Sequence, residues 1–108
     1  MLVATLQAAL EDGKAEDIAR IDLRGKSSIA DDLLIASGRS ARQVAALADR
    51  VMAALAQRGQ KRVPVEGLET GDWVLIDAGD VIVHLFRPEI RARYNLEKMW
   101  GAAFDGSE

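Results

Sequence analysis

The chain has no cysteine, one histidine and two prolines. Without cysteine it can form neither disulfides nor thiolate metal sites, and one imidazole excludes a multi-histidine metal centre within one chain. No apolar run reaches the roughly 18 residues needed to span a membrane. The start, Met1 to Leu6, carries no basic residue and soon meets Glu11-Asp12, which predicts no signal peptide and a cytoplasmic protein. A net charge of −3 argues against phosphate-dominated nucleic-acid binding, so little direct nucleic-acid contact is expected. A basic protein surface is the better electrostatic partner.

What is present suits one domain with a modest core: 108 residues, 49% of them apolar, without repeats or low-complexity tracts. The expected boundaries are 1–104 for the domain and 105–108 for a short flexible tail. Leu2, Leu6, Ala9 and Leu10 share a helical stripe that Gly13 is expected to stop. Ala19, Ile21 and Leu23 alternate with charged residues, as in a half-buried strand. Leu33 to Ala36 form a continuous apolar run, as in a strand covered on both faces. Ser40-Ala41-Arg42-Gln43 fits a capping box, followed by the stripe Val44, Leu47, Ala48, Val51 and Leu55 and the stop Gly59. Val63-Pro64-Val65 reads as an edge strand, because Pro64 cannot donate to a ladder. Pro88-Glu89 suits a final helix start. The order α-β-β-α-β-β-β-α predicts an α/β (α+β) fold with a mixed sheet of about five strands and flanking helices.

The stretch from Gly71 to Pro88 holds the only histidine and one of two tryptophans. It is two β-rich runs around a short glycine-containing link, a hairpin pattern. With Ala78-Gly79 as a two-residue loop, Trp73 pairs with His84, Leu75 with Ile82 and Asp77 with Asp80. One face then carries Trp73, Leu75, Asp77, Asp80, Ile82, His84 and Phe86; the other carries Val74, Ile76, Val81, Val83 and Leu85. The purely aliphatic second face suits packing on helices. The mixed first face suits either contact with something else or a core face with a polar rim. A one-residue change in the loop would exchange the faces.

Catalytic readings find little support. The turn Ser37-Gly38-Arg39-Ser40 lies between a strand and a helix start, where backbone amides can bind phosphate, but it matches neither a P-loop nor a dinucleotide fingerprint. A nucleotidyltransferase needs carboxylates converging on one face. The positions two residues from Asp77 are Leu75 and Gly79. Ser37, Ser40 and His84 form no nucleophile elbow. The chain is expected not to be an enzyme and to hold no cofactor; a nucleotide-binding or nucleotidyltransferase-like enzyme is the alternative.

Three spaced motifs resemble one family. The first runs from Ser28-Ile29-Ala30-Asp31 through Ile35-Ala36-Ser37-Gly38-Arg39-Ser40 to Arg42-Gln43-Val44. The second comprises Asp72-Trp73-Val74-Leu75-Ile76-Asp77, Gly79-Asp80-Val81 and Val83-His84. The third comprises Pro88-Glu89, Arg91 and Tyr94-Asn95-Leu96-Glu97-Lys98-Met99-Trp100. Together, over roughly residues 2 to 101, they resemble the ribosomal silencing factor, or Iojap-like, family. The resemblance implies a nucleotidyltransferase-like topology without the catalytic acids. It also implies a translational repressor that binds the large ribosomal subunit through ribosomal protein L-fourteen and blocks joining of the small subunit when nutrients are short. Some members self-associate, so a homodimer is a further implied partner. The hairpin's mixed face becomes the implied docking surface: Trp73, Leu75, Ile82 and His84 at its centre, Asp77 and Asp80 facing basic residues, Tyr94 and Glu97 extending it. The chain departs from the family pattern at Ala78 and at Asp32-Leu33, where aromatics are common. A missing aromatic at the hairpin tip would remove contact worth about 1–3 kcal/mol if buried.

Overall fold

Helix α1 (Leu2–Asp12) buries Val3, Leu6 and Leu10, a spacing of three and four residues that keeps them on one stripe. Gly13 stops the helix as expected, and the residue after it turns the chain. Lys14 takes the left-handed conformation (φ 66°), with its N–H donating to Glu11 O and that of Ala15 to Leu10 O, both at 3.0 Å, a Schellman ending. Gly13 also permits close packing: a Cβ there would stand 2.7 Å from both Leu47 Cδ2 and Arg50 Cδ of the second helix.

The computed structural model describes residues 2–26 and 28–94, with the Tyr94 side chain excepted. Strand β1 (Glu16–Asp22) and β2 (Asp32–Ser37) are antiparallel, with an irregularity between Glu16 and Ala19 where Asp17 has φ 51°. Helix α2 (Ala41–Gln57) follows, then the two-residue edge strand β3 (Val65–Glu66), the hairpin β4 (Trp73–Asp77) and β5 (Val81–Phe86), and α3 (Pro88–Tyr94). The sheet order is β1-β2-β5-β4-β3. Only β2 and β5 run parallel; the connection between them passes through α2 and the hairpin. The predicted element order and mixed five-stranded sheet are therefore those found. The 105–108 tail lies outside the described residues.

Helices α1 and α2 lie on the same sheet face. The α2 stripe buries the five residues expected, Val44, Leu47, Ala48, Val51 and Leu55, against Leu34 and Ala36 of β2, Val74 and Ile76 of β4, and Val81, Val83 and Leu85 of β5. Strand β2 is buried throughout, as its unbroken apolar run implied. Ser40 caps α2, its Oγ accepting from the Gln43 N–H at 3.1 Å. The Gln43 side chain reaches one residue further back than in a capping box: Oε1 accepts from the Arg39 N–H at 2.8 Å, and Nε2 donates to Lys14 O at 3.2 Å. One side chain thus ties the start of α2 to the end of α1. Gly59 (φ 90°) ends α2 with the bond from Gln60 N–H to Leu55 O.

The opposite sheet face carries a smaller cluster: Leu33 and Ile35 of β2 and Phe86 of β5 are buried with Leu23 and Ala30. Ala19, Ile21, Trp73, Ile82 and the α3 residue Ile90 are partly buried around them.

Candidate docking face

The hairpin differs from expectation in register but not in faces. Leu75 pairs with His84, Trp73 with Phe86 and Asp77 with Ile82, two positions away from the predicted partners. The cause is the tip. Gly79 and Asp80 form the link, Gly79 at φ 84°, while the Ala78 N–H donates to Val81 O at 2.9 Å. The Asp77 carboxylate stabilises this turn by accepting the Gly79 N–H at 2.9 Å. A shift of two residues preserves side-chain alternation, so Trp73, Leu75, Ile82, His84 and Phe86 still share one face.

Two tip residues are corrected by this geometry. Ala78 is buried in the cluster beneath the helices, so its methyl belongs to the core and not to a docking tip. Asp80 leaves the Trp73 face. It lines a separate groove with Leu2, Val3, Arg24, Asp31, Asp32 and Val81. Its carbonyl oxygen accepts from the Asp31 and Asp32 N–H groups at 2.8 and 3.1 Å, fastening the tip to the start of β2. Asp32 is itself buried and bonded at 2.9 Å by Arg20 Nε, a pair across adjacent strands.

On the face opposite α1 and α2, Trp73 Nε1 donates to His84 Nδ1 at 3.0 Å. The two are diagonal across the ladder instead of directly opposite, with ring centroids 5.9 Å apart. Phe86 completes the cluster, its ring 5.0 Å from Trp73 and nearly parallel to His84 at 6.1 Å. His84 is 7% exposed, whereas Trp73, Leu75 and Ile82 are half-buried. An open groove of about 300 Å³ runs past Trp73 and Leu75 to Glu66 and Gly67. Sequence reasoning missed the Glu66–Gly67 wall, because the turn from 67 to 71 brings it alongside β4 and no local pattern announces that. Phe86 was legible as a same-face neighbour of His84; its burial under Trp73 was not. Glu97 and the side chain of Tyr94 lie outside the described residues.

Burial pushes the His84 pKa down to about 4, so the ring is neutral, with Nδ1 as acceptor. In the unfolded chain a histidine titrates at about 6.5. Below that pH the unfolded state takes up a proton that the folded state refuses until about pH 4. Stability is thus full above the unfolded value and falls with pH through that window, with His84 accounting for about 2 kcal/mol by pH 5. Urea midpoints at pH 7 and 5 should separate more for the native chain than for His84→Leu.

The Ser37–Ser40 turn is occupied by its own contacts. Ser37 Oγ accepts from Arg91 Nη1 at 2.8 Å, and the Gly38 N–H donates to Phe86 O at 2.9 Å. The Arg39, Gln43 and Val44 amides are also bonded within the turn and helix start. A Cβ on Gly38 would meet the Val44 backbone nitrogen at 3.1 Å, so this glycine permits close strand–helix packing. Among the described residues, no group of three or more histidine, cysteine, aspartate or glutamate side chains could hold a metal ion. No described helix is long and apolar enough to cross a membrane.

Comparison with known proteins accounts for this arrangement. A family model described as "Ribosomal silencing factor during starvation" matches residues 1–108. The chain belongs to the ribosomal silencing factor family. It is 55% identical to the ribosomal silencing factor of Zymomonas mobilis over 105 residues, spanning 94% of this chain and 76% of that protein. A mouse relative, "Mitochondrial assembly of ribosomal large subunit protein 1", is 33% identical over 88% of this chain and 43% of its own length. A crystal structure from Chromobacterium violaceum is similar with a TM-score of 0.88 and 40% identity, covering 93% of this chain and 83% of the other. The family's motifs thus map onto β2 with the start of α2, onto the hairpin, and onto α3 with the residues beyond it.

Proposed function

We propose that this chain represses translation by docking the sheet face opposite α1 and α2 on ribosomal protein L-fourteen of the large subunit, where it sterically blocks joining of the small subunit under nutrient limitation. The observation that carries this reading is the half-buried patch of Trp73, Leu75 and Ile82 over the buried His84 and Phe86, on the face away from α1 and α2, in a member of this family. Specific interfaces centre on aromatic anchors inside a polar rim. Here the rim carries Glu66 beside the groove and the exposed Asp77 at the tip, both suited to a basic partner. The name of the mouse relative refers to the ribosomal large subunit, which supports the choice of subunit.

The activity requires occupation of a surface and no bond-making chemistry. Sedimentation of purified large and small subunits, with and without the protein, tests it. Saturating protein should shift joined ribosomes toward free subunits. Unchanged joining would remove this reading.

A further inference from the structure

The Trp73–His84 pair has a bearing on how the docking face is prepared. A half-buried tryptophan ordinarily leaves its N–H for water or for an acceptor on a partner. Here that N–H is taken by His84 Nδ1 at 3.0 Å within the same face. His84 is itself buried, 7% exposed, with Ile35 and Leu75 as its register neighbours and the Phe86 ring nearly parallel, its centroid 6.1 Å away. A buried acceptor on a packed strand fixes the indole more firmly than solvent could. Fixing it in advance lowers the ordering cost of association. With its N–H already bonded, the indole asks no acceptor of a partner.

We infer that His84 is a positioning residue for Trp73: it pins the indole in its docking orientation and satisfies its N–H, so that recognition at Trp73 requires no hydrogen-bond acceptor from the partner. This rests on the docking reading above. Three features converge on it: the 3.0 Å bond, the burial of the acceptor beside a half-buried donor, and the apolar groove at Leu75.

The test is a double-mutant cycle on binding of the whole chain to purified large ribosomal subunits. His84→Leu should weaken binding about tenfold, the effect of one lost hydrogen bond. In a Trp73→Ala background the same change should cost nothing further. His84→Asn, whose amide oxygen can occupy the Nδ1 position, should restore most of the loss. The indole ¹⁵N–H resonance of Trp73, assigned against Trp100→Phe, should move in His84→Leu and return toward its native position in His84→Asn. Should His84→Leu fail to fold, His84→Gln takes its place, since its amide reaches toward Nε2 and not Nδ1. Native affinity in the variant lacking the acceptor, with Trp73→Ala weakened, would overturn the positioning role alone. So would an equal loss in both backgrounds, or an unmoved indole resonance. Native affinity in Trp73→Ala would overturn the docking reading, and the positioning role with it.

Discussion

Gly67→Ala should destabilise the protein by about 2–6 kcal/mol, the sum of backbone strain and overpacking. Gly67 sits at φ 90°, a conformation that costs a side chain strain, and a Cβ there would collide with the carbonyl oxygen of Trp73. The Trp73 carbonyl carbon and Val74 Cα lie close behind, at 3.0 and 3.3 Å, so the obstacle is backbone and cannot swing aside. Relief would push β4 away from the turn, just where Trp73 and the Glu66–Gly67 groove wall meet. Both the urea midpoint and binding to the large subunit should therefore fall together. Gly79→Ala is the internal comparison. It also has positive φ, at 84°, but nothing lies within 4 Å of the position its methyl would take, so its loss should be confined to strain.

Trp73→Ala should weaken binding to ribosomal protein L-fourteen by roughly 2 kcal/mol or more, about thirtyfold, the scale of an aromatic anchor at an interface centre. Three things make this the most sensitive position on the face. Trp73 borders the groove with Leu75, covers Phe86 at 5.0 Å, and is held by His84. Its truncation also uncovers part of the smaller apolar cluster and leaves His84 Nδ1 without this donor, so some stability is lost too. The main core should survive, because it lies on the other side of the sheet and includes no atom of Trp73. Circular dichroism and thermal melting separate the two effects: a folded variant with weakened binding is the expected result.

Much of the fold was legible because its signals are local. The α2 stripe, its Ser40 cap and the apolar run of β2 each declare themselves within a few residues, and each forms as read. The differences arise where tertiary contacts choose between local options. Helix α1 stops at Gly13 as its pattern announces, but the left-handed turn falls on Lys14. In the hairpin, Ala78 has the pattern of a loop residue; its burial beneath the helices draws it into the ladder and moves the loop to Gly79-Asp80. That displacement changes every cross-strand partner by two positions and no face. The shared face of Trp73, Leu75, Ile82 and His84 was consequently legible from alternation alone, while Asp80, a loop residue free of the alternation rule, was placed on the wrong side. The hydrogen bond between Trp73 and His84 depends on diagonal instead of direct pairing, which the chain's pattern could not specify.

Affinity for isolated ribosomal protein L-fourteen, measured for the native chain, Trp73→Ala and Asp49→Arg, bears most directly on the claim that the sheet face opposite α1 and α2 is the docking surface. Asp49 is exposed on α2, across the sheet from Trp73, and serves as the opposite-face control. Native affinity is expected for Asp49→Arg, with a loss of about thirtyfold for a folded Trp73→Ala. Native affinity in Trp73→Ala together with a loss in Asp49→Arg would put the interface on the helical face and contradict the claim.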